Sequence, residues 1–446
     1  MKKLFTAVLL LTLCLTVSSF GQGNWHFVKV FPDTNFKANT GVHGIAVDKV
    51  GKIWVQPYGT TDSIKDATSN TFRQVRQVFV FNPNGTPASF SGFKTVTLGS
   101  ATDTLYNSGR GMRADADGNV VFCSFNTYYR INYSTGAGMG KVDAYPLVAA
   151  GVTGITPAFT SANEMFIGAV IPTQPIKIFD NTFTELGTAV ADPPGFSRVL
   201  EVSKDGNDVY WCGYTTKKIY VYHSDLGTLG TYALKDSIAI GCQVESIGWN
   251  PKNHYLYFAS GSVDSSDYGS PVVLPPYKVE TWYGYDPATK TIKDSIEWNS
   301  HAYPGYNYSN VTLSPRPRGI AFSVSGDTAY LAGYNYERAP VQMFVRGTTG
   351  VEMLESAIPS GYTLSQNFPN PFNPSTEINF TLAKGGMTTL VVYDMLGREV
   401  ATLVNENLVP GTYKSKFDAS RLSSGTYIYT LTSGTFKMSQ KMLLVK

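Results

Sequence analysis

The chain of 446 residues is long enough for two or three domains, and a core of good size is expected. Charged residues make up 15% of the chain, against roughly 25% in an average soluble protein, while aromatic residues reach 13% and there are 42 glycines, which favours sheets and tight turns. The net charge of +3, with no block of Lys or Arg after residue 3, argues against nucleic acid and anionic membranes as partners.

The N-terminus has the pattern of a secretory signal peptide. Two lysines precede an apolar run over residues 4–17, and the small residues Ser19 and Gly21 precede a cleavage site before Gln22. We therefore expect residues 1–21 to be removed on export. The apolar run is shorter than the ~18 residues of a membrane span and no later stretch approaches that length, so no transmembrane segment is predicted in the mature chain.

Residues 24–347 repeat one pattern. In the first copy an apolar strand ends at Asp48, Gly51 occupies the turn, and a second apolar strand follows, as in a β-hairpin. Further copies begin at Arg110, Arg198, Glu245 and Arg318, and a divergent unit occupies residues 154–168. A third strand follows in every unit, over residues 78–82, 129–132, 178–180, 220–223, 283–286 and 343–346.

These units predict an all-β fold, a β-propeller over residues 22–347. Units spaced by roughly 44 to 73 residues are typical of propeller blades, and packing sheets in a circle buries both faces of each sheet. The last unit lacks a clear fourth strand, whereas residues 25–31 form a strand without a unit, so we predict that this N-terminal strand completes the last blade. Six blades are expected. Seven is the alternative, because residues 59–73 and 261–278 are long insertions.

The repeats resemble propellers of the NHL, YVTN and lactonase-like superfamily, through segments such as Gly44-Ile45-Ala46-Val47-Asp48. The resemblance is architectural and does not select an activity. Lactonase-like members typically hold a divalent metal in the channel through Glu, Asn and Asp side chains. Arginines stand where those ligands would be expected here and only Glu245 fits, so no metal and no cofactor are predicted.

One aligned position is charged or titratable in five of the six units. Its residues, each of which precedes a Gly, Ser or Val of an inner strand, are His43, Arg110, Arg198, Glu245 and Arg318. Inner strands face the channel of a propeller, so these side chains should converge near one mouth. Three guanidinium groups there could hold a carboxylate or phosphate through paired donors. The alternative is a water-filled channel in which the charges pair with each other.

A second candidate site is an aromatic segment between two units. It contains Trp298, Tyr303, Tyr306 and Tyr308. Exposed aromatic rings on a loop can stack on sugar rings or anchor a protein partner. The alternative, which weighs equally, is that the segment packs against the rim of the propeller.

The last part of the chain is predicted to be a separate small domain. Residues 348–360 have the mixed composition of a linker, and a Pro-rich lead-in over residues 364–376 precedes six alternating strands. The strands are predicted over residues 377–382, 388–393, 399–403, 411–418, 425–432 and 435–445. Short strands separated by turns of Gly, Asn and Ser indicate an immunoglobulin-like β-sandwich over residues 361–446.

This segment resembles the type A C-terminal sorting domain of the type IX secretion system. The resemblance lies in residues 370–376 (NPFNPST), 392–400 (VYDMLGREV), 422–427 (LSSGTY) and 441–446 (KMLLVK), in that order. It implies that the domain docks with the outer-membrane translocon and that the cargo is secreted or displayed on the cell surface.

Two functional classes stay open. One is a surface-displayed binding or scaffold module whose propeller takes a carbohydrate, an anionic small molecule or an envelope protein. The other is a secreted hydrolase or lyase, lactonase-like or acting on a polysaccharide, with its site in the channel. The sequence has no nucleophile elbow, zinc-protease helix or phosphate-binding loop, which favours the binding module. Catalytic residues are not assigned, and the ligand is not defined by the sequence.

Overall fold

The computed structural model describes most of the chain after the predicted signal peptide. The described residues are 25–33, 35–36, 38, 40–65, 70–145, 152–261, 277–299, 316–334, 340–346, 351–355, 359–408, 410–420 and 422–446. Within these ranges the structure is all-β, and its one helical element is the 3₁₀ turn Gly227–Leu229. No helix in the described ranges is long and apolar enough to cross a membrane. The predicted signal peptide and its predicted cleavage site lie outside the described residues.

Residues 25–346 form six small antiparallel sheets, numbered here by the order of their first, inner strands. Sheet 1 contains Val42–Val47, Ile53–Pro57 and Phe79–Phe81. Sheet 2 contains Gly109–Ala114, Val120–Ser124, Thr127–Ile131 and Gly138–Asp143. Sheet 3 contains Ala158–Phe159, Met165–Ile167, Ile176–Phe179 and Glu185–Val190. Sheet 4 contains Leu200–Val202, Asp208–Gly213, Lys218–His223 and Ala233–Ile238. Sheet 5 contains Ile247–Trp249, Leu256–Ala259, Thr281–Asp286 and Thr291–Glu297. Two hairpins, Asp62–Lys65 with Phe72–Val75 and Thr95–Leu98 with Ala101–Thr104, accompany sheet 1.

Sheet 6 joins the two ends of this region. Its strands are Arg316–Phe322, Thr328–Tyr334 and Val341–Arg346, and its outer strand is Trp25–Val30, which pairs antiparallel with Val341–Arg346. The prediction that the N-terminal strand completes the last unit is therefore confirmed.

The six sheets follow one another in a circle. The inner strand of each sheet contacts the inner strand of the next, and the inner strand of sheet 6 contacts that of sheet 1. An apolar cluster fills each of the six spaces between consecutive sheets. Alternation along the strands explains how one sheet feeds two clusters: in sheet 2, Val120 and Phe122 pack toward sheet 1, while Val121 and Cys123 pack toward sheet 3. Because both faces of the sheet are packed in this way, the second strand of sheet 2 is buried and apolar at four successive positions, 120–123.

The hairpin turns form as their sequence predicts. The Asp48 Oδ1 accepts hydrogen bonds from the amides of Val50 and Lys52, and Gly51 has φ 85°. The Asp115 Oδ1 does the same for Asp117 and Asn119. A positive φ favours glycine, and the aspartate satisfies backbone donors that the turn would otherwise leave unpaired.

The C-terminal region forms two further four-stranded sheets around a shared apolar core. Sheet 7 contains Val351–Glu355, Thr363–Leu364, Ser375–Leu382 and Gly411–Asp418. Sheet 8 contains Gly386–Tyr393, Glu399–Leu408, Gly425–Ser433 and Phe436–Leu444. One prediction is corrected here: residues 351–355, placed in the linker, pair with Gly411–Asp418 as a strand of sheet 7.

Candidate anion site in the central channel

The five charged or titratable residues of the aligned position meet in one cavity. We call them the cation ring: His43, Arg110, Arg198, Glu245 and Arg318. They come from five different sheets, and they meet because equivalent positions at the start of each inner strand lie at the same end of the channel. Sheet 3, which has no charged residue at this position, contributes Gly154 and Thr156 to the same cavity.

The cation ring has a buried floor and two more accessible arms. His43, Glu245 and Arg318 are buried, and the Arg318 and Glu245 side chains form an ion pair. Arg110 and Arg198 are half-buried. The arms are therefore the guanidinium groups that an incoming ligand meets first.

The charges of the cation ring do not cancel. Burial, and then the nearby Arg318, Arg110 and Arg198, hold the pKa of His43 well below its usual value of 6.5, so this imidazole is neutral at neutral pH. Burial, and then Arg198, lower the pKa of Arg318 to about 9, which still leaves the guanidinium charged at neutral pH. Three positive charges thus face the single negative charge of Glu245, and the ring carries two positive charges in excess.

Buried polar atoms of the ring also lack partners. Within the described ranges, His43 Nε2 and the Nε atoms of Arg110, Arg198 and Arg318 have no hydrogen-bond partner. A buried N–H without an acceptor costs about 1–3 kcal/mol, more for charged groups. An anionic oxygen bound between the arms would supply an acceptor and reduce the charge repulsion at the same time.

The guanidinium group of each arginine in the cation ring lies near the aromatic ring of a tyrosine. The guanidinium of Arg110 lies 5.4 Å from the ring centre of Tyr58, that of Arg198 lies 5.9 Å from Tyr214, and that of Arg318 lies 5.1 Å from Tyr334. These distances allow a cation–π attraction. All three tyrosines stand at or just past the end of the second strand of their sheet, a register position that could have been found by aligning Pro57-Tyr58, Gly213-Tyr214 and Gly333-Tyr334.

The cavity between these side chains is narrow. Its volume is about 10 Å³, roughly the space of one water molecule. The space therefore takes one oxygen of an anionic group without large movement, and the rest of that group lies between the arms.

Arg113 crosses the channel beyond the ring. It starts from the inner strand of sheet 2, and its Nη2 donates to the Ile247 carbonyl at 2.7 Å and lies 3.0 Å from Glu201 Oε2. Its Nη1 donates to the Ile320 carbonyl at 3.4 Å. The guanidinium thus joins sheets 4, 5 and 6 to sheet 2 across the axis, a contact that no pattern in the sequence indicates. Glu201 is buried, and burial raises its pKa while Arg113 opposes that rise.

The structure describes one of the four residues of the predicted aromatic site. Trp298 is buried and stacks on Trp282 at 6.1 Å between ring centres, as the alternative of packing against the propeller predicts for this residue, so its ring is not an exposed ligand platform. Tyr303, Tyr306 and Tyr308 lie outside the described residues. Among the residues that the structure does describe, no cluster of His, Cys, Asp and Glu could hold a metal ion.

The C-terminal sheets belong to a known class of export signal. Residues 366–446 match the family described as the secretion system C-terminal sorting domain. The chain therefore carries a type IX sorting domain, which implies interaction with that secretion system, and the protein is exported to the cell surface or the extracellular space.

Solved structures with some similarity include two propeller-type proteins. PorZ, an essential bacterial surface component of the type IX secretion system of Porphyromonas gingivalis, is 12% identical with a TM-score of 0.41, over 93% of this chain and 60% of that chain. A putative 6-phosphogluconolactonase from Bacteroides fragilis is 11% identical with a TM-score of 0.41, over 90% of this chain and 99% of that chain.

A third is the extracellular domain of a putative hybrid two-component system from Bacteroides thetaiotaomicron, 11% identical with a TM-score of 0.39, over 96% of this chain and 59% of that chain. This chain thus spans about three fifths of the length of PorZ and of that domain. Similarities at this level carry no conclusion about function. No curated protein matches the chain.

Proposed function

We propose that this exported protein is a binding protein whose central region is a six-bladed β-propeller, followed by an immunoglobulin-like sorting domain. Six consecutive sheets in a circular order, with the N-terminal strand completing the sixth, support the blade count. Two four-stranded antiparallel sheets around one core support the sandwich.

The propeller's ligand presents a carboxylate or another small anionic group to the cation ring. The observation that carries this proposal is the convergence of three arginines on one cavity, where Glu245 is the one carboxylate among the described lining residues. Arg110 and Arg198 reach the cavity from sheets 2 and 4, so the pair can grip the two oxygens of one carboxylate from two sides. Because the cavity is narrow, the body of the ligand lies outside the ring, at the mouth of the channel.

Calorimetric titration of the purified protein tests this function. The probes are glucuronate and an N-acetylated dipeptide with a free carboxyl end, each paired with its neutral amide. We expect at least one acid to bind and its amide not to bind. Charge-assisted hydrogen bonds contribute about 1.5–3 kcal/mol each, so the double variant Arg110→Met with Arg198→Met should weaken binding about 100-fold or more.

The matched control removes two positive charges far from the channel. Lys141→Met with Lys177→Met changes the net charge by the same amount as the arginine variant, because it also removes two cations. These lysines form ion pairs with Asp103 and Glu185, on strands remote from the inner strands that carry the cation ring. Its affinity should stay within about twofold of the unmodified protein, since exposed ion pairs contribute little. Equal binding of acid and amide, or unchanged affinity in the arginine variant, would show that the ring is not the binding site.

A further inference from the structure

The opposite end of the channel has its own, larger cavity. Its volume is about 450 Å³, within the roughly 300–1,000 Å³ of small-molecule sites. It is lined by residues at the carboxyl ends of the inner strands and just beyond them, including Trp249, Phe159, Pro251, Lys49, Lys204 and Arg113. We call it the funnel. Arg113 and its partner Glu201 lie between the funnel and the cation ring.

One wall of the funnel is a fixed aromatic surface. The Trp249 Nε1 donates to the Val202 carbonyl at 2.8 Å, and the indole packs edge-on against Tyr210 at 5.7 Å between ring centres. The indole N–H is therefore already used, and the half-exposed ring offers apolar surface to a ligand. Phe159 and Pro251 extend this apolar wall.

The acidic side chains of the funnel are already occupied. Asp48 accepts from two turn amides and from the indole N–H of Trp54. Asp115 accepts from its own turn and pairs with Arg130 at 3.1 Å. Glu201 accepts from the Val202 amide and pairs with Arg113. Each of the three carboxylates among the described lining residues is thus already hydrogen-bonded or ion-paired.

Two positive side chains of the funnel, unlike Arg113, form no ion pair among the described residues. Lys49 and Lys204 are both exposed. Lys49 Nζ lies 5.8 Å from the ring centre of Tyr133, and Lys204 Nζ has no ion-pair partner among the residues that the structure describes. Lys204 follows the inner strand of sheet 4, its carbonyl accepts from the Ser161 amide of sheet 3, and it lines the funnel together with Phe159 and Trp249.

We propose that the funnel is a second binding site, for a small organic anion with an apolar body, such as an aryl-substituted carboxylate. The aromatic wall takes the apolar body and Lys204 takes the negative group. A plain sugar ring fits less well, because its hydroxyl groups need several neutral hydrogen-bonding side chains, whereas this lining is mainly apolar. The proposal for the funnel does not depend on the function proposed for the cation ring, because the two cavities have no lining residue in common.

Intrinsic fluorescence and calorimetry together test this proposal. Of the six tryptophans, Trp25, Trp54, Trp211, Trp282 and Trp298 are buried, so an added ligand in the funnel should change chiefly the emission of Trp249. The probe is 3-phenylpropionate, compared with neutral 3-phenylpropanol and with glucuronate. We expect saturable binding of 3-phenylpropionate, at least tenfold weaker binding of the alcohol, and little change in emission with glucuronate.

Variants separate the two cavities. Lys204→Ala should weaken 3-phenylpropionate at least tenfold, while Lys235→Ala, an exposed lysine on the outer strand of the same sheet, should leave the affinity unchanged. Trp249→Phe should remove the fluorescence response while calorimetry still detects binding. The anionic end of 3-phenylpropionate is also a possible ligand of the cation ring, and the double variant Arg110→Met with Arg198→Met therefore serves as a further control. This variant should leave the Lys204-dependent binding intact.

Other outcomes overturn the proposal. They are the absence of saturable binding, equal affinity for acid and alcohol, full affinity in Lys204→Ala, tighter binding of glucuronate than of 3-phenylpropionate at the funnel, or loss of all binding in the arginine variant alone. The last result would assign the probe to the cation ring and would leave the function proposed for that ring standing.

Discussion

Replacing Asp294 with alanine is expected to lower the free energy of unfolding by about 3–5 kcal/mol, the usual cost of removing one partner of a buried ion pair. Asp294 is 2% exposed. Its Oδ2 accepts from Trp25 Nε1 at 3.0 Å, from the Tyr257 hydroxyl and from the Arg346 guanidinium. Trp25 and Arg346 belong to the two outermost strands of sheet 6, and Tyr257 belongs to sheet 5 with Asp294 itself. One carboxylate therefore ties the closing strand of sheet 6 to sheet 5.

Urea unfolding followed by circular dichroism measures this loss. The matched control is Glu297→Ala, three residues further along the same strand. Glu297 is exposed, and its nearest ion-pair partner, Lys278, is 3.8 Å away, so the change should be within about 0.5 kcal/mol. A loss at Asp294 no larger than that of Glu297 would contradict the role assigned to the closure of sheet 6.

Replacing Arg113 with alanine should have a similar effect, a loss of about 3–5 kcal/mol at neutral pH. The variant leaves Glu201 buried without its cation, and it leaves the carbonyls of Ile247 and Ile320 without their donor. The pKa of Glu201, already raised by burial, should rise further in the variant. A carboxyl whose pKa is higher in the folded than in the unfolded state favours folding at low pH, so the deficit should narrow as the pH falls through the folded-state pKa.

Unfolding curves at several pH values test this prediction, with a double variant as control. Arg113→Met with Glu201→Met removes both charges and keeps apolar volume, so it should recover most of the stability that Arg113→Ala loses. A double variant as unstable as the single one, or a deficit that does not depend on pH, would mean that the ion pair across the channel is not the source of the loss.

The repeat made much of the candidate site predictable. In a circular array, residues at the same register position of each unit face the same point on the axis, so aligning five short segments was sufficient to bring His43 and Arg318 together. The same reasoning identified residues 25–31 as the missing strand of sheet 6. Residues 366–446 could be assigned to an export domain because the sequence motifs of the sorting domain are present in their usual order.

Contacts that do not follow the repeat could not be predicted. Arg113 reaches carbonyl oxygens on sheets that are not neighbours of its own, and no local pattern marks an arginine that will cross the channel. The burial of Trp298 depends on its stacking on Trp282, which belongs to the third strand of sheet 5. The strand Val351–Glu355 pairs with residues sixty positions further along the chain, and its alternation Val-Glu-Met was too short to be separated from a linker.

Anomalous diffraction from crystals soaked in bromide tests the arginine convergence most directly. Bromide is a compact anion that needs no specific shape, and its position can be identified from its scattering. The structure predicts an ordered bromide within hydrogen-bonding reach of Arg110 and Arg198, at the mouth above Arg318. Ordered bromides elsewhere on the surface, with none between these arginines, would contradict a positively charged site built by six sheets around one axis.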